Sequence, residues 1–391
     1  MSILTPTEAV NAAISVYKLQ YDFSETAVND AFLANTGLIE RFELGKGNNV
    51  SFQGTTGFYG LRAKTGFGVI ARGKGENNKN EALLTIRGTA SKSDWITDGN
   101  CSLSPSSSGK LVHSGFNSVF KEIEPQLKKF FDLNKDVRKV HCVGHSLGGA
   151  IASMSAEWMK HERSNLEPYL YTFGSPRVGT NHFASTLTNK VKAENIYRVH
   201  HFNDIVSLIP IYPFIHVPIH GNSCCIKNVP YNAISAHFKD NYLRSVENKK
   251  WSDLKSQGPM FNNSKEMILA WLKEGGKVGA VLGHMTLSLI GSSIMYILEK
   301  AGVIIESVIS AGISILDQIA FALERAWKTG KEIAGYVISL IKNIYTLVTG
   351  KVFHLAGDIT YSVLRMVFEL LTHAVFSQAN VAIAADTDVD K

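Results

Sequence analysis

One serine in this chain sits where serine chemistry needs it, in Val143-Gly144-His145-Ser146-Leu147-Gly148-Gly149-Ala150. Val140 to Val143 is a short apolar run that stops at Gly144, and Ala150 to Ala156 is compatible with a helix. Gly-x-Ser-x-Gly between a strand and a helix is a nucleophile elbow: the serine occupies a sharp, strained tip with its hydroxyl presented to a reactant. Side chains at Gly144 and Gly148 would collide where strand and helix cross, which is why the flanking positions are glycine. The following helix points its N-terminal amides and positive dipole end at the tip, where negative charge develops during an attack on a carbonyl.

Such a tip must be carried by a sheet, and the chain supplies one. Thr5-Pro6-Thr7-Glu8 carries a cap, a first-turn proline and a capping-box glutamate, and Val10, Ala13, Ile14 and Tyr17 follow at helical spacing, which predicts a helix over residues 6–20. Phe67–Ala71 and Ala82–Ile86 read as strands, separated by a polar loop at residues 73–80. Val112–Phe116 opens a helix to about Phe131. Leu170–Phe173 and Ile196–His200 are further strands. Strand and helix alternate, so the fold class is α/β with a mainly parallel central sheet. Ligands of such sheets lie beyond the carboxyl ends of the strands, where Thr89, Ser146, Gly174 and Asp204 fall.

At 391 residues the chain is longer than one such domain needs. The net charge of +6 is unclustered, which argues against a nucleic-acid partner. Cys101, Cys142, Cys224 and Cys225 form no disulfide framework. Residues 1–6 lack the charged and apolar regions of a signal peptide. The expectation from this is synthesis in the cytoplasm; the family resemblance and the hydrophobic tail described below imply export by a non-classical or contact-dependent route and action at a membrane.

The chain resembles the lipase class 3 family, whose fold is that of the α/β-hydrolases. The resemblance is carried by Ile86-Arg87-Gly88-Thr89 with Asp94-Trp95 behind it, His113-x-Gly115-Phe116, the elbow, Thr172-Phe173-Gly174-Ser175-Pro176-Arg177-Val178-Gly179, and Asn203-Asp204-Ile205-Val206. It covers roughly residues 5 to 245, and five motifs in order are far more specific than any one. It implies a triad of Ser146 as nucleophile, Asp204 as acid and a histidine base, in the order Ser, Asp, His. Without that context Asp204 would read as a helix cap or a surface turn. His216, His220 and His237 all lie downstream of Asp204. His237, followed by Phe238 at a helix start, matches the family pattern and is the expected base. His216 and His220 lie in a proline-bearing stretch, residues 212–221, read as an edge strand. His200 and His201 precede the acid and read as support residues. The resemblance places the oxyanion hole at the amides of Leu147 and Thr89 and makes His145 a structural elbow residue. Asp98 and His113 read as braces beneath the site. A lid is expected at residues 91–108, with Trp95 and Ile96 as its apolar contacts; the alternative is an ordinary loop. No metal and no cofactor are implied.

The rest of the chain has no counterpart in the family core. The expected division is 1–250 catalytic domain, 251–276 linker and short helix, 277–380 hydrophobic helical region, and 381–391 disordered tail. Val278 to Leu298 carries no Asp, Glu, Lys or Arg, and Glu299, Glu306, Asp317 and Glu324 recur at spacings that put them on one helical stripe. A helix apolar around most of its circumference is buried in protein or in lipid. Two homes are therefore open: a soluble bundle on the hydrolase, or a membrane-docking or inserting module, the reading favoured by the lipase resemblance. The functional expectation is a serine lipolytic hydrolase, first of phospholipids, with triacylglycerol lipase or general esterase as alternatives. Analogy with antibacterial lipase toxins adds a delivery or neutralising protein as a partner. A pore-forming protein is the reading from another class.

Overall fold

The structure is a computed structural model that describes residues 3–19, 36–43, 50–56, 63–88, 102–255, 263–275, 282–304, 310–354 and 357–388. Its centre is an eight-stranded sheet. The parallel half runs β4 (Glu81–Ile86), β7 (Lys139–His145), β8 (Glu167–Phe173), β9 (Ile196–His201), β10 (Asn222–Ile226), in spatial as in chain order. On the other side β3 (Ala63–Gly73) pairs antiparallel with β4, and β1 (Phe42–Glu43) and β2 (Val50–Thr56) pair with β3. A separate ribbon joins β5 (Leu103–Pro105) to β6 (Leu111–His113). β4 and β7 are buried at every residue, as parallel strands covered on both faces must be.

Helices α2 (Ser114–Leu133), α3 (Leu147–Glu162) and α4 (Asn181–Val191) bury Phe116, Phe120, Ile151, Met154 and Phe183 on one face of the sheet. On the other face α1 (Pro6–Ser15) and α5 (Lys239–Val246) cover Val143, Tyr171 and Phe173. α1 starts on the expected capping box, Thr5 with Glu8, but ends at Ser15, and a tight 3-10 turn, Val16–Leu19, follows. The hydrolase unit continues past residue 250: Trp251 stacks on Tyr197 and donates its indole N–H to the Leu4 carbonyl. The stretch 212–221 forms no strand; its prolines offer no ladder donor, and the outer parallel partner is β10 instead.

Beyond residue 255 the helices among the described residues are α6 (Lys265–Glu274), α7 (His284–Lys300), α8 (Ile315–Trp327), α9 (Lys331–Thr349) and α10 (Tyr361–Asp388). Ile294, Ile319, Leu323, Leu340, Ile344, Phe368 and Leu371 meet in one apolar core that also takes in Val206, Leu208, Ile209 and Phe214 of the hydrolase. The four acids at 299, 306, 317 and 324 do not form one stripe. Gly302 and Gly312 have left-handed backbones and the chain turns between α7 and α8; Glu299 lies on α7, Asp317 and Glu324 on α8, and Glu306 outside the described residues. Asp317 is instead held by Arg365 of α10 at 2.8 Å. The expected disordered end is helical through Asp388, because Ala379, Ala382 and Ile383 are buried in the same core. α7 spans 17 residues, short of the roughly 20 a bilayer needs. Among the described residues one helix, Tyr361–Asp386, is long and apolar enough to cross a membrane, and half of its most apolar window is buried in protein.

Candidate active site

β7 delivers its last residue, His145, to a tip at which Ser146 adopts φ 57° and ψ −132°. That conformation costs a non-glycine residue about 1–3 kcal/mol and must be imposed by its surroundings. The imposition comes from crossing backbones. A Cβ on Gly148 would lie 2.1 Å from the Ile86 carbonyl oxygen, and one on Gly144 would lie 2.2 Å from the Gly148 carbonyl carbon. The Ser146 amide is itself tied to the Phe173 carbonyl at 2.9 Å, so β8 clamps the tip from the other side.

Ser146 Oγ lies 2.9 Å from His237 Nε2. His237 Nδ1 lies 3.0 Å from each oxygen of Asp204. The carboxylate fixes the tautomer: Nδ1–H donates to Asp204, which leaves Nε2 to accept from the serine hydroxyl. Asp204 follows β9 and receives the Val206 amide at 2.9 Å and the Tyr242 hydroxyl at 2.6 Å. Tyr242 accepts in turn from the His201 amide. The carboxylate is fully buried, and both of its oxygens accept hydrogen bonds from these donors. Burial alone would lower the His237 pKa; the charge and hydrogen bond of Asp204 outweigh it, and the pKa stands above its ordinary value.

A second layer holds the base in place. The His237 carbonyl can only accept, so His145 Nε2–H donates to it at 2.9 Å, and His145 Nδ1 accepts from the Tyr17 hydroxyl at 2.8 Å. His201 likewise donates from Nδ1 to the Ala236 carbonyl at 2.6 Å and accepts from Ser245 at 2.8 Å. Burial first, and the nearby His237 second, drive the His145 pKa well below its ordinary value, so this imidazole stays neutral. Lys239, two residues after the base, donates its amide to Asp386 Oδ1 and its ammonium to the Asp386 carbonyl, both at 3.0 Å. The end of α10 therefore rests against the turn that carries His237.

The expected triad residues Ser146, Asp204 and His237 meet at one point, and Leu147 N–H, at the first turn of α3, lacks an intrahelical acceptor. Thr89, Trp95, Ile96 and Asp98, with most of the expected lid, lie outside the described residues. His216 is elsewhere, against Arg177 and Arg198, and His220 lines a separate cavity. His113 caps its own helix at Gly115, buried with a pKa pushed down to about 4 by burial. Sequence reasoning missed Tyr17, Tyr242, Lys239 and Asp386. The only available signal was that Tyr17 and Tyr242 sit on helices predicted to flank the sheet.

Residues 83–214 match the family model described as Lipase (class 3). A secreted mono- and diacylglycerol lipase of Fusarium solani is 34% identical over 155 residues, 38% of this chain and 44% of that protein. Toxin TseL of Vibrio cholerae is 36% identical over 104 residues, 26% of this chain and 15% of that protein. The chain thus spans less than half the length of these relatives. The solved lipase of Rhizopus microsporus var. chinensis aligns at a TM-score of 0.41 and 23% identity, covering 58% of this chain and 76% of that one. The segment that supplies the elbow, the acid and the strands beneath them is the part that matches the class 3 lipase family model.

Proposed function

We propose that the protein hydrolyses carboxylic esters of lipids through an acyl-enzyme on Ser146. The observation that carries this reading is the continuous relay Ser146–His237–Asp204 at 2.9 and 3.0 Å on a strained elbow. Ser146 Oγ attacks the ester carbonyl and its proton passes to His237 Nε2. Asp204 holds the imidazole in the required tautomer and stabilises the imidazolium. The Leu147 amide, at the positive end of α3, faces the developing oxyanion, with Thr89 as its partner on the family pattern. His237 then protonates the departing alcohol. Water repeats the sequence on the acyl-enzyme and releases the acid. Ser146, Asp204 and His237 are each at most 2% exposed, so a lipid ester reaches them only after a covering segment moves.

Within lipid esters, mono- and diacylglycerols are the leading substrates, supported by the fungal relative's name. A-type cleavage of phospholipids at a bilayer is the second reading. It is supported by Met285, Met295, Phe321, Met366 and Val381, apolar side chains exposed on the helical region. Delivery as a toxin, with a neutralising partner, is supported by the likeness to TseL. The test is purified protein on defined vesicles and emulsions with products read by mass spectrometry, beside Ser146→Ala. Release of fatty acid from one lipid class, lost in the variant, supports the proposal. Lipid leakage that survives Ser146→Ala points to the pore-forming alternative and overturns it.

A further inference from the structure

A cavity of about 720 Å³ lies between the hydrolase and α7, none of the three relay residues lines it, and its walls are of two kinds. Its polar lining includes Arg177, His216, Ser223, Ser288 and Ser292, and its apolar lining includes Tyr212, Phe214, Ile219, Leu287 and Met295. A second guanidinium, Arg198, which is 2% exposed, stands against His216 of this lining. The two arginines share one acceptor: Arg177 Nε and Arg198 Nη2 both reach His216 Nε2, at 3.2 and 3.3 Å. Their other partners are the neutral Pro210 carbonyl, His200 and Ser223. Among the described residues no carboxylate lies within ion-pair distance of either arginine. Burial, then their mutual repulsion in the case of Arg177, lowers each guanidinium to about 10.

Two desolvated cations with no carboxylate in ion-pair contact among the described residues are costly unless something anionic joins them. A guanidinium binds a carboxylate or a phosphate through a two-point fork. With Nε2 accepting from the arginines, His216 Nδ1 carries the proton, and that buried N–H has no hydrogen-bond partner among the described residues. An oxyanion in the cavity beside Arg177 would supply the missing counter-charge. The size of the cavity is within the range of about 300–1,000 Å³ that holds small ligands, and its apolar walls fit an alkyl chain.

We propose that this cavity is a second binding site, for a single-chain amphiphile with an anionic head, the head on Arg177 and the chain along Tyr212, Ile219 and Met295. Fatty acids and lyso-lipids with a phosphate head share this chemistry. Occupation would also tie α7 to the hydrolase, since both line the cavity.

Gly291 offers a clean test. It lines the cavity, and an added Cβ would touch only Tyr212 Cβ, at 3.6 Å, so the Cβ of Gly291→Leu is accommodated and the rest of the side chain occupies cavity space from within a helix. Dodecanoate, dodecyl phosphate, dodecanol and inorganic phosphate are titrated calorimetrically below micellar concentrations. The proteins are Ser146→Ala alone and combined with Gly291→Leu or Arg177→Gln. Binding to the acyl site of the relay survives both added substitutions and serves as the internal reference. The expected result is an additional site for dodecanoate or dodecyl phosphate, abolished by Gly291→Leu and weakened at least tenfold by Arg177→Gln, with dodecanol absent from it. The preferred amphiphile identifies the head as carboxylate or phosphate. Binding of inorganic phosphate with no gain from the alkyl chain overturns the amphiphile, and identical isotherms for all three proteins overturn the site. Neither result depends on turnover, so failure here is separate from failure of the proposed hydrolysis.

Discussion

The active-site end of the hydrolase and the core of the helical region bury side chains of different kinds. The sheet's loop ends enclose Ser146, Asp204, His237, His145, His201 and Tyr242, all buried and all joined by hydrogen bonds. The helices enclose mainly Ile, Leu, Val, Phe and Ala, with scattered polar side chains such as Ser293, Gln318, Asn343 and Thr372 among them. Hydrocarbon burial is non-directional and tolerates many arrangements, whereas a buried polar relay is stable only when each donor finds its acceptor. The two regions therefore differ in what a substitution does. In the first it removes a function; in the second it removes stability.

The largest effect tests the relay. Ser146→Ala and His237→Ala should each lower kcat by about 10⁶-fold, because members of such a unit act together. Melting temperature should stay close to that of the unaltered protein. His216→Ala and His220→Ala should keep most of the activity on a short soluble ester. If His216→Ala or His220→Ala is as damaging as Ser146→Ala, the base is misassigned. The comparison of the two regions would then lose its catalytic side.

How legible each region was in sequence follows from the same contrast. The elbow, Asp204 and the His237-Phe238 pair are local patterns, and the alternation of strands and helices around them is periodic. Tyr17 bonds His145 across 128 residues and Asp386 bonds Lys239 across 147, so no window of sequence displays them. The tail posed a different difficulty. Apolarity around a helix states that water is excluded but does not say by what, and lipid and protein satisfy it equally. The acidic residues at 299, 306, 317 and 324 kept helical spacing by number while the chain turned between them. The turn was marked only by Gly302 and Gly312. The edge strand expected at 212–221 failed because Pro210, Pro213 and Pro218 remove ladder donors, although β-compatible residues flank them.

The next effect tests how separable the two regions are. Ending the chain after residue 258 would uncover Val206, Leu208, Ile209 and Phe214, which lie beside the acid Asp204. An exposed patch of that kind favours aggregation. The truncated chain should elute as aggregate in gel filtration and lose activity on a soluble ester. A soluble, fully active fragment would show that the helices are an independent module, and would strengthen the membrane reading of the tail. Smaller again is Gly148→Ala. Its Cβ would press on the Ile86 carbonyl, a backbone atom that cannot swing aside. A destabilisation of about 3 kcal/mol is expected, as for overpacking of a close-packed site. Chemical denaturation should show it as a lower midpoint with unchanged slope.

The smallest effect asks whether the helical region reaches the chemistry at all. Asp386, near the end of α10, contacts the backbone two residues from His237, and its charge acts in the same direction as that of Asp204, raising the His237 pKa. Burial and Lys239 act the other way. His237 must be neutral to take the proton of Ser146. The rate therefore rises with pH as the imidazolium deprotonates, and a raised pKa places that limb at higher pH. Asp386→Asn keeps an oxygen to accept the Lys239 amide but removes the negative charge. The sign follows directly: the imidazolium is less stabilised, its pKa falls, and the acid limb of kcat/KM moves to lower pH with the plateau little changed. Asp204→Asn would move the limb the same way, but it would also collapse the plateau by about 10⁴-fold through the wrong tautomer. A pH profile of kcat/KM on a soluble ester separates the two. A limb that stays in place or moves upward in Asp386→Asn would confine α10 to packing and leave the relay electrostatically self-contained. A downward shift makes the last turn of α10 part of what sets the working pH of a serine on the far side of the sequence.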